Sequence, residues 1–132
     1  MDEFDIIDLV YNYVAAANTG LTIYKDNSAT GVEENHIVVS GMEFHELDWQ
    51  NKMPVNVNIF IKLYPNGMPN RPLMRDMKSK IRTELKKIGP ENGQYRDVEL
   101  SGSVRLTGAK ENFDCTNIKV IINTQKNIED YE

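Results

Sequence analysis

Apolar residues near the start of the chain recur at helical spacing. Within residues 2–18 they form one stripe, made of Phe4, Ile7, Val10, Tyr11 and Val14. Carboxylates gather at the first turn, where they favour the positive end of a helix dipole, and Gly20 can end the helix. The pattern predicts an N-terminal helix whose stripe faces a core.

Three segments with strand-like patterns follow this helix. Residues 21–25 predict a short strand, residues 26–34 a polar loop, and residues 35–45 a second strand with a bulge or bend at Gly41. Residues 47–52 then read as a turn, and the third strand begins at Pro54. Its odd-numbered side chains from Val55 to Leu63 are predicted to face the core.

The opposite face of the third strand carries two asparagines and two aromatic residues. They are Asn56, Asn58, Phe60 and Tyr64. This face is too apolar for free exposure to solvent, so another chain or a loop is expected to cover it.

The second half of the chain predicts a helix followed by a hairpin. Asn70 and Pro72 fit the cap and first turn of a helix that runs to about Ile88 and stops at Gly89-Pro90. Its apolar stripe consists of Leu73, Met74, Met77, Ile81, Leu85 and Ile88. Strands at 95–107 and 114–124 are joined by a loop at 108–112. In the first of them the alternating apolar residues are Val98, Leu100, Val104 and Leu106.

The predicted order is α-β-β-β-α-β-β, which is typical of an α+β fold. We expect a mainly antiparallel sheet of about five strands packed against two helices. The 132 residues suit a single domain over residues 1–124, followed by an acidic, frayed tail at 125–132.

Cysteine usage and hydropathy predict a cytoplasmic protein. The single cysteine, Cys115, cannot form an internal disulfide, and residues 1–5 do not resemble a secretion signal. No apolar run approaches the roughly 20 residues needed to cross a bilayer, so we expect no membrane contact.

Residues that could carry chemistry do not form a recognisable site. His36 and His45 would lie on opposite faces of an unbroken strand, so they are interpreted as surface or interface histidines rather than metal ligands. Cys115 follows Asp114, which would raise the pKa of the thiol, and is interpreted as a packing residue. The sequence contains no nucleophile elbow and no glycine-rich phosphate loop. We therefore expect no catalytic residues, no metal and no cofactor, and the protein is not expected to be an enzyme.

Charge is distributed unevenly along the chain. Residues 71–87 contain seven cationic and two acidic side chains, a net charge of +5, which leaves −10 for the rest of a chain of net charge −5. A solvated helix exterior, a docking surface for an acidic partner or a second copy, and an approach to DNA phosphates all remain open. No aromatic residue lies among the basic positions, which weighs against binding of single-stranded nucleic acid. The candidate interface residues are Arg75, Lys78, Arg82, Trp49, Phe60 and Tyr64.

These segments resemble the tail terminator and tail-completion (head-tail joining) proteins of long-tailed bacteriophages and prophages. The resemblance rests on the element order, the segment from Val55 to Ile61, the turn from Pro65 to Asn70 and the basic amphipathic helix that follows. It covers most of the chain as topology and about residues 55–88 as sequence.

The resemblance implies a small structural subunit of the virion. Such subunits form a ring, commonly a hexamer, that joins the tail tube to the neck. The basic helix could then lie close to DNA. These subunits assemble in the host cytoplasm. The alternatives are a host-encoded α+β module that binds a protein or ligand without catalysis, and an enzyme with an unrecognised site.

Overall fold

The computed structural model describes residues 1–27, 31–47, 50–91 and 93–125. These residues form two helices and six strands, joined by turns and loops. In chain order they are α1 (Glu3–Ala16), β1 (Thr22–Lys25), β2 (His36–Gly41), β3 (His45–Glu46), β4 (Gln50–Lys62), α2 (Arg71–Leu85), β5 (Arg96–Arg105) and β6 (Phe113–Gln125). Neither helix is long and apolar enough to cross a membrane, within these described ranges.

The strands form one mixed sheet in the order β1-β2-β4-β6-β5, with β3 paired beside β4. Every pairing is antiparallel except that of β1 with β2, which is parallel. This confirms the α+β class and the predicted order. It adds the two-residue strand β3, in which His45 is the last residue of the predicted second strand and Glu46 lies beyond it.

Strand β4 lies at the centre of the sheet and contributes five buried apolar side chains to the core. Its odd-numbered residues from Val55 to Ile61 are fully buried, as predicted, and Met53 is almost fully buried. Leu63 was predicted on the same face, but it lies beyond the end of the strand and is half-buried. The even-numbered residues from Pro54 to Phe60 are half-buried. The strand begins at Gln50, so it includes the end of the segment predicted as a turn. A Cβ at Gly41 of β2 would meet the terminal methyl of Met53, so a larger residue there would require that side chain to move.

Both helices pack on the face of the sheet to which these residues point. In α1 the buried side chains include Ile6, Val10 and Val14, whereas Phe4 is 66% exposed. The predicted placement of Phe4 in the core stripe was wrong. Successive helical residues are about 100° apart, so Phe4 lies on the far side of the helix from Ile6.

Side-chain caps fix the start of each helix. Asp2 and Asp5 each accept a hydrogen bond of 2.9 Å from the other's backbone N–H, forming a reciprocal capping box on α1. Asn70 accepts from the Leu73 N–H at 3.3 Å, which confirms the predicted cap of α2. These bonds satisfy backbone donors that have no partner within the helix.

A bulge in β5 reverses the faces to which the side chains of its second half point. Val98 and Leu100 are half-buried over the core, but the register shifts between Leu100 and Gly102. Beyond the shift, Val104 pairs with Asn117 on the opposite face and is 55% exposed. The prediction that Val104 and Leu106 share a face with Leu100 was therefore wrong, because one extra residue reverses the alternation.

Candidate subunit interface

Four cations form a line along α2, which we call the cationic stripe. Arg71, Arg75, Lys78 and Arg82 follow one another at steps of four, three and four residues, so they lie on one side of the helix, beside the buried apolar stripe. None of the four forms an ion pair with any described residue. By contrast, Lys80 lies 3.2 Å from Asp76, and Lys87 lies 2.7 Å from Glu84.

A groove of about 360 Å³ runs between the cationic stripe and the β5–β6 hairpin. The helix contributes the first three cations of the stripe and Met74, and the hairpin contributes Val104, Arg105 and Thr116, among others. Met74 lies between these charged walls, whereas the Val104 side chain lies on the opposite face of the sheet. The groove can therefore bind a segment that carries carboxylates.

The one carboxylate in the groove already has a partner. Asp114 is buried at the start of β6, and one of its oxygens accepts a 2.8 Å hydrogen bond from Arg105 Nη2. The remaining cations of the groove, on α2, are unpaired within the described part of the chain. The groove thus carries an excess of positive charge although the protein as a whole is acidic.

The sheet face without helices holds an aromatic cluster around His36. The imidazole stacks on Phe60 with ring centroids 4.7 Å apart, and Phe113 and Tyr24 contact it edge-on at 5.4 and 5.8 Å. His36 is fully buried, so its interpretation as a surface histidine was wrong. Burial lowers the pKa of His36, and its Nδ1 lies 2.8 Å from the Glu34 carbonyl oxygen.

Phe60 belongs to this cluster, and a loop of the same chain lies over part of it. Lys110, in the β5–β6 loop, places its Nζ 5.0 Å from the centroid of Phe113 and 5.9 Å from that of Phe60. The expectation that a loop or another chain covers this face is met here by the loop. Beside the cluster, Asn117 Nδ2 donates to Asn58 Oδ1 at 2.7 Å and to Asn56 Oδ1 at 3.1 Å.

The other candidate residues lie apart from the groove. Tyr64 lies in the turn before α2, where its side chain is 45% exposed and its hydroxyl donates to Asn70 Oδ1 at 2.9 Å. Trp49 is outside the described residues. The structure therefore brings Arg75, Lys78 and Arg82 together and places Phe60 and Tyr64 at separate positions.

Groups suited to catalysis do not converge. No cluster of three or more His, Cys, Asp or Glu side chains that could hold a metal occurs among the described residues. Cys115 is buried in β6, and burial together with the Asp114 charge raises the pKa of its thiol to about 11. His45 is exposed, with its Nε2 3.8 Å from Glu43 Oε2.

The candidate residues chosen from the sequence did not include two of the cations that line the groove. Arg71 precedes Arg75 by one helical turn, and that spacing was visible in the sequence. Arg105 could not be found in this way, because its place opposite α2 depends on the bulge in β5 and on pairing with β6.

No protein-family model matches the chain, and no curated protein matches its sequence. Solved structures share its fold, among them two that match most of its length. One is a chain in the virion of a native gene transfer agent particle, with 8% identity and a TM-score of 0.60, and the match covers 89% of this chain and 92% of that one. The other has 11% identity and a TM-score of 0.54, with coverage of 96% and 99%.

Proposed function

We propose that this chain is a structural, non-catalytic virion subunit of a phage or prophage. In that role it is a tail terminator or tail-completion protein that forms a ring with its own copies and joins the tail tube to the neck. The observation that carries the proposal is the shared fold with a chain of a gene transfer agent virion over almost the full length of both chains. The resemblance of residues 55–88 to tail terminators supports the same role.

The cationic stripe supports assembly between copies. Its side chains are unpaired within the described residues, and the chain outside residues 71–87 carries a net charge of −10. A ring of identical subunits brings different faces of neighbouring copies together. A cationic stripe facing the acidic surface of a neighbour or of the neck is therefore electrostatically favourable.

Charge reversal tests this role of the stripe. We expect the triple variant Arg75→Glu, Lys78→Glu and Arg82→Glu to keep its fold, because these side chains lie off the apolar stripe, and to weaken assembly at least tenfold. The matched control is Lys80→Glu on the same helix, together with Lys86→Glu and Lys87→Glu at its C-cap and just beyond it. It changes the net charge equally and loses only exposed ion pairs worth about 0–1 kcal/mol each.

Native mass spectrometry over a concentration range, with and without tail tube protein, is the decisive measurement. A closed ring of the wild-type chain that the control retains and the triple variant loses would support the proposal. Loss of duplex DNA binding in the triple variant, with assembly unchanged, would assign the stripe to DNA instead. A chain that stays monomeric at every concentration with tube protein present would defeat the proposal and favour a binding module.

A further inference from the structure

The groove beside α2 has the charge to bind an acidic peptide segment. It presents the cations Arg71, Arg75, Lys78 and Arg105, of which only Arg105 is paired within the described residues. Its floor includes the buried Met74, and Arg105 lines its hairpin side. Cationic walls around this floor select an acidic segment that also carries apolar side chains.

We propose that this groove binds residues 126–132 of a second copy of the chain. The inference rests on the proposed assembly of identical copies and names the contact that links them. The segment has the sequence KNIEDYE, with carboxylates at Glu129, Asp130 and Glu132. Ile128 precedes the first carboxylate and Tyr131 lies between the last two, and both can offer apolar surface to Met74.

The length of β6 prevents residues 126–132 from filling the groove of their own copy, so we assign them to the groove of another copy. The groove reaches Asp114 near the start of β6, whereas residues 126–132 follow Gln125 at its end. The stretch from Asp114 to Gln125 is about 36 Å long at roughly 3.3 Å per residue. Residues 126–132 span at most about 25 Å when fully extended, so a chain cannot fill its own groove as far as Asp114.

A contact of this kind can link identical copies into a closed ring. The segment leaves from one end of β6 and binds beside the other end on the next copy, so each subunit uses two different surfaces. Such head-to-tail contacts generate a ring when the rotation between neighbours closes.

The first test measures binding of the segment directly. A fluorescent KNIEDYE peptide is titrated with the chain shortened to residues 1–125, and binding is followed by anisotropy. We expect saturable binding that falls at least tenfold in the variant Arg71→Glu with Arg75→Glu. The control, Lys80→Glu with Lys86→Glu, should bind as the parent does. Arg105 is left unchanged, since its loss would leave the buried Asp114 unpaired.

Folding of the double variant is checked by its melting temperature. Glutamate at position 71 lies in the first turn of α2, where a negative charge is favourable, so the fold should be retained. A peptide in which Glu129, Asp130 and Glu132 are replaced by their amides should bind at least tenfold more weakly. Equal binding by the double variant and its control, or no binding of the peptide, would overturn the inference.

The second test separates this inference from the proposed function. Native mass spectrometry compares the full chain with the chain shortened to residues 1–125, both with tail tube protein. A ring that forms equally well without residues 126–132 would overturn the inference and leave the proposed function standing. Dimers or open oligomers that require residues 126–132 but never close would support the inference and defeat the ring.

Discussion

At the scale of single residues, His36 shows how burial sets the chemistry of a side chain. Its ring is enclosed by Phe60, Phe113 and Tyr24, and desolvation lowers its pKa below the ordinary value of 6.5. The positive charge of Lys110 acts in the same direction. The Glu34 carbonyl and the Glu34 carboxylate act in the opposite direction. The neutral imidazole is therefore the form that the fold stabilises.

This lowered pKa predicts that acid weakens the fold through His36. The unfolded chain binds a proton near pH 6.5, and the folded chain binds it only at lower pH, so the free energy of unfolding falls as the pH drops below 6.5. Each unit by which folding lowers the pKa of His36 costs about 1.4 kcal/mol of stability, once the pH lies below the pKa values of both the folded and the unfolded chain.

Titration of the imidazole resonances by NMR, with urea unfolding at pH 7.5 and 5, checks this expectation. A His36 midpoint at or above 6.5 would contradict it. The variant His45→Gln, which removes an exposed imidazole, should keep the pH dependence of the parent.

At the scale of elements, β4 determines which face of the sheet becomes the core. We expect Ile59→Asp to leave the chain unfolded or insoluble, because an unpaired buried carboxylate costs several kcal/mol against a typical total stability of about 5–15 kcal/mol. The control Lys62→Asp introduces the same residue at an exposed position of the same strand. Circular dichroism melts compare the two, and a normal melting temperature for Ile59→Asp would refute the assignment of faces.

The elements that sequence predicted best are those whose signals are local. The cap at Asn70 and the apolar stripe from Leu73 to Leu85 specify α2, although the helix ends at Leu85 and not near Ile88 as predicted. The alternation from Val55 to Ile61 specifies β4. The parallel pairing of β1 with β2 was not predictable in this way, since it depends on contacts between segments rather than on either pattern. The reversal of Val104 was missed for a related reason, because the sequence does not show which residue of a strand is left unpaired at a bulge.

In the candidate site, too, the sequence shows the residues with a local pattern and does not show the contacts between elements. Arg75, Lys78 and Arg82 lie on one side of α2 because of their spacing, which the sequence displays. Their relation to Arg105 depends on how the hairpin docks against the helix, so the groove became visible only in the structure.

At the scale of the whole molecule, we expect the core to be sufficient for folding without a bound group. It extends from α1 through β2, β4 and β6 to α2 as one continuous apolar cluster. We therefore expect thermal melts to coincide with and without chelator, and with and without a panel of nucleotides. A shift of several degrees on adding one metal or nucleotide would show a binding site and favour an enzyme, because a ligand that binds only the folded state raises its stability.

The central position of β4 also has a consequence for synthesis of the chain. Strand β4 pairs along its whole length with β6, which is made only after α2 and β5. At about 5–20 residues per second, translation from Lys62 to Phe113 takes about 3–10 s. During that interval one edge of β4 lacks its partner, and an open edge can pair with another chain. The lysines, asparagines and proline of β4 reduce that risk, so these residues protect the nascent protein before they serve the finished one.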